Sequence, residues 1–255
     1  MRFARAEGFI PSPTIEALRA RAPVSAADVE RFLAAHRFPL IEGATSTFVW
    51  RGEAEAVHLV HMIYGLPTRQ SFVRLEGTDL WYLTLEMPAR SRVEYNFEVA
   101  RGGNSALIED PLNPLKTRDP FGTNSVVQGD GYATPDWVGH DPEARPGTLE
   151  ELVMPSAGLG RDARVTLYLP ARFRRTRRYP LLLVHDGGDF LAYAGMKTAL
   201  DNLIHRLDVA EMVVAFLHPG ERLTHFVNAV ANSCRASPWE GMAGGCPRWR
   251  GTPRR

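Results

Sequence analysis

The feature that most constrains the fold of this chain is an alternation of residue types over residues 92–99. Polar and apolar residues take turns there, in the order Arg92, Val93, Glu94, Tyr95, Asn96, Phe97, Glu98 and Val99. Successive side chains of a strand point to opposite faces, so this period of two indicates a strand with one buried face. Shorter runs at 47–51, 56–63 and 80–87 have turn residues between them. Several short strands with regular turns predict an immunoglobulin-like β-sandwich over residues 40–110.

The residues before this sandwich predict a helical arm over 1–39 that packs against it. Ser25 stands where it can cap a helix running from Ala26 to Ala35. Asp28 follows three residues later, in the place of the acidic residue of a capping box. The arm is therefore expected to contain a helix with a well-defined start.

The residues after the sandwich, 111–147, predict a connector without long regular elements. Proline, glycine, aspartate and asparagine are frequent there, and proline interrupts both helices and sheet ladders. A connector of this length is expected to pack against a surface rather than hang free. Its aromatic residues Phe121, Tyr132 and Trp137 are the predicted anchors.

A different pattern, over residues 148–224, predicts an α/β domain. Strand-like runs at 149–155 and 164–169 precede a continuous apolar run from Tyr179 to Val184, a helical stripe over 192–207 and another apolar run over 212–217. A continuous apolar run is typical of a central strand buried on both faces. Strands that alternate with a helix predict a largely parallel sheet.

Composition excludes several functions. The chain has 255 residues, 44% of them hydrophobic and 23% charged, as in globular proteins, and its formal net charge of +1 offers no field for nucleic acid or an anionic membrane. The first ten residues lack the apolar stretch of a signal peptide, so a cytoplasmic location is expected. The two cysteines, Cys234 and Cys246, match no zinc pattern, and neither a metal nor a cofactor is expected.

Several segments resemble enterochelin esterases, and they occur in that family's order. These segments are Phe48–Gly52, Gly77–Tyr82, Asp110–Pro114, Asp119–Ser125, Tyr179–Gly188, Leu200–Ile204 and Pro219–Arg222. The resemblance covers about residues 40–224. It implies a multidomain protein, with an immunoglobulin-like domain followed by the N-terminal half of an α/β-hydrolase. It also implies a carboxylic-ester hydrolase that cleaves the esters of a catecholate siderophore and so releases iron in the cytoplasm.

The resemblance implies a serine nucleophile, which this sequence lacks. In α/β-hydrolases the serine stands in a Gly-x-Ser-x-Gly turn, and the acid and the histidine follow later in the chain. No such pentapeptide occurs here, and Ser233 has no flanking glycines. His58, His61, His218 and His225 likewise have no partnered serine at a recognisable turn. We therefore expect the chain to be inactive, with no catalytic residue assigned.

One part of the implied machinery is present. His185-Asp186-Gly187-Gly188 follows the predicted central strand, where such folds supply an oxyanion-hole N–H group. Gly188 is the candidate donor and Gly187 is expected to set the turn, although an ordinary strand-end turn explains the residues equally well. Adjacent residues on a strand point to opposite faces, so His185 and Asp186 are not expected to form a catalytic pair. Arg222 is the candidate substrate contact, with a plain surface arginine as the alternative.

Residues 225–255 show neither a helical nor a strand period, and we expect an irregular, truncated or out-of-frame tail there. The proposed frameshift lies near residues 223–225. A second function stays open beside the esterase: a non-catalytic module that binds a carbohydrate or another ligand. Its candidate contacts are Trp50, Trp81 and Tyr82, which are also plausible core residues.

Overall fold

The structure is a computed structural model that describes residues 10–63, 67–156 and 160–218. The chain divides between Gly139 and His140 into two units, which are taken in turn. In the described ranges, none of the helices has the length and apolar character that crossing a bilayer requires. Arg222, Ser233, both cysteines and the predicted tail all lie outside the described residues.

The first unit begins with two helices and continues with strands. The helices are α1 (Pro13–Arg19) and α2 (Ala26–Ala35). The strands are β1 (Leu40–Glu42), β2 (Thr45–Arg51), β3 (Ala56–His61), β4 (Arg69–Ser71), β5 (Val73–Arg74), β6 (Leu80–Glu86), β7 (Arg92–Arg101), β8 (Asn104–Ile108), β9 (Lys116–Asp119) and β10 (Gly122–Gln128).

These strands form two antiparallel sheets that share a core. The first sheet has the order β1-β2-β6-β5, and the second has the order β4-β3-β7-β10-β9, with β8 also paired to β7. Both sheets contribute side chains to one buried cluster that includes Phe48, Trp50, Trp81, Val57, Leu59, Tyr95, Phe97 and Val99. The predicted sandwich of two sheets is therefore present, while its immunoglobulin-like type stays a prediction.

The helical arm covers the other face of the first sheet. Leu80 and Tyr82, which alternate with Trp81 along β6, join a second core with Ile15 of α1 and Phe32 of α2. The predicted capping box is confirmed, since the Ser25 hydroxyl accepts from the Asp28 N–H and the Asp28 carboxylate accepts from the Ser25 N–H. The arm thus packs as predicted.

A carboxylate fastens the start of α1 to the sheet. The Ser12 hydroxyl donates to Glu42 Oε2 at 2.5 Å, and the Thr14 hydroxyl donates to Glu42 Oε1 at 2.6 Å. Burial opposes ionisation of Glu42, but these two bonds and a third from the Thr14 N–H outweigh it and lower the pKa of Glu42.

The connector predicted over 111–147, without long regular elements, includes two short strands over residues 116–128. Those residues form the β9–β10 hairpin, and β10 pairs with β7 in the second sheet. The prolines do not interfere, because Pro114 precedes the hairpin and Pro120 lies in its turn, where Asp119 accepts hydrogen bonds from the N–H groups of Phe121 and Gly122. The Phe121 side chain is 86% exposed and therefore not an anchor, whereas Trp137 is 38% exposed and its anchoring role stays a prediction.

A buried polar network joins this hairpin to the sheet. The Tyr95 hydroxyl donates to Asp110 Oδ2 at 2.6 Å and accepts from Asn113 Nδ2 at 2.9 Å. The N–H of Asp110 donates to Ser125 Oγ at 2.8 Å, and Lys116 Nζ donates to the Asp110 carbonyl at 2.7 Å. Burial, and next the nearby Asp110 carboxylate, raise the pKa of Tyr95. The Asp110–Pro114 segment therefore has a structural role.

In its described residues, 140–156 and 160–218, the second unit contains four strands and two short helices. The strands are β11 (Thr148–Ser156), β12 (Arg161–Leu169), β13 (Leu181–Val184) and β14 (Val213–Leu217). The helices are α3 (Gly187–Ala192), which was not predicted, and α4 (Met196–His205), which confirms the helix predicted over 192–207 with a later start and an earlier end. Gly195, in the left-handed conformation at φ +58°, separates them.

The predicted largely parallel sheet is wrong for the described strands. Their order is β11-β12-β14-β13, and only β13 and β14 run parallel. The prediction that β13 is buried on both faces is also wrong. Leu181, Leu182 and Leu183 are 61%, 39% and 56% exposed, because β13 is an edge strand among the described residues. In β14, by contrast, Val214, Ala215 and Phe216 are buried as predicted.

A buried carboxylate fastens α4 to the sheet of the second unit. Asp201 Oδ1 accepts from the Tyr168 hydroxyl at 3.0 Å and from the N–H of Gly147 at 2.7 Å. Asp201 Oδ2 lies 2.6 Å from Lys197 Nζ. Burial, and next the Asp201 carboxylate, raise the pKa of Tyr168 above that of a free tyrosine.

We expect Tyr95→Phe to lower the free energy of unfolding of the first unit by about 1–3 kcal/mol, because it leaves buried polar atoms of Asp110 and Asn113 without a partner. Urea denaturation followed by circular dichroism measures the change. The control is Tyr132→Phe in the same unit, since no hydrogen bond of the Tyr132 hydroxyl occurs in the described part. Equal unfolding midpoints for the two variants would contradict the role given to Tyr95.

We expect the second unit to lose stability as the pH rises above about 10, the pKa of an unperturbed tyrosine. The raised pKa of Tyr168 means that the folded state keeps a proton which the unfolded state releases, so alkaline pH favours unfolding. Denaturation at several alkaline pH values should show a smaller loss in Tyr168→Phe than in the parent. Tyr193→Phe, at an exposed tyrosine of the same unit, should behave like the parent.

Candidate active-site turn

The candidate site is the turn that joins β13 to α3. β13 ends at Val184, so His185 and Asp186 belong to the turn rather than to a strand, and both are exposed. Asp186 has the left-handed conformation at φ +52°, which aspartate tolerates better than most residues. α3 then begins at Gly187. The turn is therefore set by Asp186, and the prediction that Gly187 sets it is wrong.

Gly187 is required for a different reason, which is close packing. A Cβ atom at this position would lie 2.4 Å from Phe216 Cβ and 2.5 Å from the Phe216 backbone. Phe216 is fully buried in β14, next to Val184 across the parallel pair. Only a residue without a side chain lets α3 begin directly against this strand.

Gly188 lies beside the imidazole of His218. A Cβ atom on Gly188 would be 3.0 Å from His218 Nδ1, which is tighter than an ordinary contact. The N–H groups of Gly187 and Gly188 make no hydrogen bond within the described ranges, and two helix-terminal donors are thus available at the turn. This arrangement is compatible with the predicted oxyanion-hole role, which stays a prediction.

A row of three polar side chains crosses the sheet to reach this turn. The Thr166 hydroxyl donates to Glu151 Oε1 at 2.6 Å and lies 2.6 Å from His218 Nε2. Glu151 and Thr166 are cross-strand partners, and Thr166 faces Phe216 on the next strand. His218 comes two residues after Phe216 and so shares its face of the sheet. Sequence reasoning missed this row because it looked for a serine partner.

The remaining predicted site residues are Arg222 and the three aromatic residues of the binding-module alternative. Arg222 lies outside the described residues. Trp50, Trp81 and Tyr82 are buried in the first unit, so the structure contradicts them as exposed contacts of a carbohydrate-binding module. Among residues 10–63, 67–156 and 160–218, no group of three histidine, cysteine or acidic side chains is placed to hold a metal ion.

Two family models match the sequence, one in each unit. The model described as "Enterochelin esterase, N-terminal" matches residues 45–105, and the model described as "Putative esterase" matches residues 156–242. The second match continues beyond residue 224, and the proposed frameshift stays a prediction. A search of curated proteins finds no match.

Solved structures share the fold. The enterobactin esterase of Shigella flexneri, solved in the presence of enterobactin, is 20% identical, with a TM-score of 0.56 over 77% of this chain and 59% of that one. The ferric enterobactin esterase of Salmonella typhimurium is 19% identical, with a TM-score of 0.56 over 72% of this chain and 55% of that one. The chain thus spans less than two thirds of the length of these structures.

We expect Gly187→Ala to lower the free energy of unfolding of the second unit by about 1–3 kcal/mol, because the added methyl group overlaps Phe216 and displaces the start of α3. Gly139→Ala, at the last residue of the first unit, is the control for an added methyl group, since its added Cβ has no neighbour within 4 Å and its φ is not left-handed; it should leave the second unit unchanged. Urea denaturation measures both variants. If Gly187→Ala is as stable as the control, the close approach of α3 to β14 is not a constraint.

Proposed function

This chain belongs to the enterochelin esterase family, and we propose that it is a catecholate-siderophore esterase homologue that does not complete ester hydrolysis by itself. The family's substrate chemistry is the cleavage of siderophore esters, which leads to iron release. The single observation that supports the loss of turnover is the absence of any Gly-x-Ser-x-Gly pentapeptide from the sequence. Without a serine held on a strained strand-to-helix turn, the acyl-enzyme route has no nucleophile.

The turn described above supports retention of ester recognition. The N–H groups of Gly187 and Gly188 have no hydrogen-bond partner among the described residues, and in this proposal they face the oxygen on which the negative charge of a tetrahedral intermediate develops. Donors of this kind contribute to catalysis only when a nucleophile attacks the carbonyl they hold. In this proposal Gly188 is the oxyanion donor, Gly187 holds the donor turn against Phe216, and Arg222 contacts an acidic or catecholate oxygen of the ligand.

The test is hydrolysis of p-nitrophenyl butyrate and of enterobactin by the purified 255-residue chain. We expect no turnover above that of buffer, while the Shigella flexneri enterobactin esterase, assayed in parallel, hydrolyses enterobactin. We also expect measurable turnover from a version whose reading frame after residue 224 is shifted to continue the esterase domain. Turnover by the 255-residue chain that disappears when one serine is replaced by alanine would overturn the proposal.

A further inference from the structure

The row Glu151–Thr166–His218 fixes the protonation pattern of an imidazole beside the candidate turn. A threonine hydroxyl has one proton, and that of Thr166 is donated to Glu151 Oε1 at 2.6 Å. The 2.6 Å contact between Thr166 Oγ1 and His218 Nε2 therefore needs its proton from the imidazole. His218 accordingly carries its hydrogen on Nε2, and in the neutral ring Nδ1 is left as an acceptor.

The acceptor atom Nδ1 is directed to the candidate turn. It lies 3.0 Å from the place where a Cβ atom of residue 188 would stand, so any side chain there would crowd it. His218 is half-buried, and Nδ1 makes no hydrogen bond within the part of the chain that the structure describes. Thr166 is buried, so water does not easily replace it as the partner of Nε2. The ring is thus held on one side and has a free acceptor on the other.

We propose that His218 is a ligand-binding residue whose Nδ1 accepts a hydrogen bond from a hydroxyl group, with Thr166 and Glu151 as the residues that position it. The choice of a hydroxyl compound rests on the proposed function, because a catecholate siderophore has phenolic hydroxyl groups, which are hydrogen-bond donors. In this proposal the hydroxyl group binds at the edge of the imidazole that faces Gly188. The tautomer of His218 follows from the hydrogen bonds alone.

The first arm of the test measures this tautomer by nitrogen-15 NMR of the full chain with labelled histidine. The His218 signals are identified because they are absent from the spectrum of the His218→Gln variant. We expect the Nε2–H form in the parent and in Glu151→Gln, whose amide oxygen still accepts from Thr166. Glu151 is exposed, so the Glu151→Leu variant should fold. Without the carboxylate, the Thr166 hydroxyl can donate its proton to His218 Nε2. We therefore expect the Nδ1–H form of His218 to be the major tautomer in this variant. Thr84→Val, which removes a 2.9 Å hydroxyl contact in the first unit, should leave His218 unchanged.

The second arm measures ligand contact with a matched pair of probes, phenol and anisole. We expect phenol to shift the Nδ1 signal of His218 in a saturable way, and anisole, which has no hydroxyl proton, to leave it in place. Gly188→Ala should abolish the shift by phenol while the Nε2–H form persists. An unchanged tautomer in Glu151→Leu, or equal shifts by both probes, would overturn the proposal. Neither arm involves ester turnover, so its outcome is separate from that of the hydrolysis assay.

Discussion

The close approach of α3 to β14 is the constraint on which the candidate site depends. Gly187 lies so near the backbone of Phe216 that a methyl group has no room there. The left-handed conformation of Asp186 turns the chain sharply enough to start α3 at this contact. Because the helix begins directly against the strand, the next residue, Gly188, reaches the imidazole that follows β14. One packing contact therefore determines which groups meet at the turn.

Away from the turn, each unit contains a buried carboxylate that connects two elements of secondary structure. Asp110 joins the β9–β10 hairpin to the second sheet through Tyr95, and Asp201 joins α4 to β12 through Tyr168. A buried carboxylate is costly unless it is hydrogen-bonded, and each of these accepts at least two hydrogen bonds. Such networks specify one arrangement of the surrounding elements, since any other arrangement would leave the charge without partners.

Local patterns in the sequence predicted the elements well, and their assembly poorly. The alternation around Tyr95 and the capping residues Ser25 and Asp28 reflect local geometry, and both are confirmed. The hairpin at 116–128 was not predicted, because its short strands are polar and lie next to prolines. Their composition therefore does not indicate burial in a sheet. The direction of neighbouring strands depends on long-range pairing, which no local period encodes.

The candidate site shows the same difference between features that local patterns predict and features that depend on long-range contacts. The position of Gly187 and Gly188 after an apolar strand marked them as candidates. A glycine is required at position 187 because of its contact with Phe216, which is distant in the sequence and not visible in any local motif. Glu151, Thr166 and His218 lie far apart in the sequence and meet only through the register of three strands. A histidine without a serine partner was therefore dismissed, although its partner is a threonine across the sheet.

Among the described residues, β13 is an exposed edge strand of the second unit, directly before the candidate turn. A strand of consecutive leucines at a sheet edge presents unpaired backbone groups beside exposed apolar side chains, and such edges template association. In the proposed function the turn after β13 supplies the oxyanion donors, and the nucleophile of a hydrolase must reach such donors from a neighbouring element. An element that paired with β13 would cover the leucines and stand beside the turn. Pairing along this one strand edge would therefore affect both the exposure of the leucines and the access to the candidate turn.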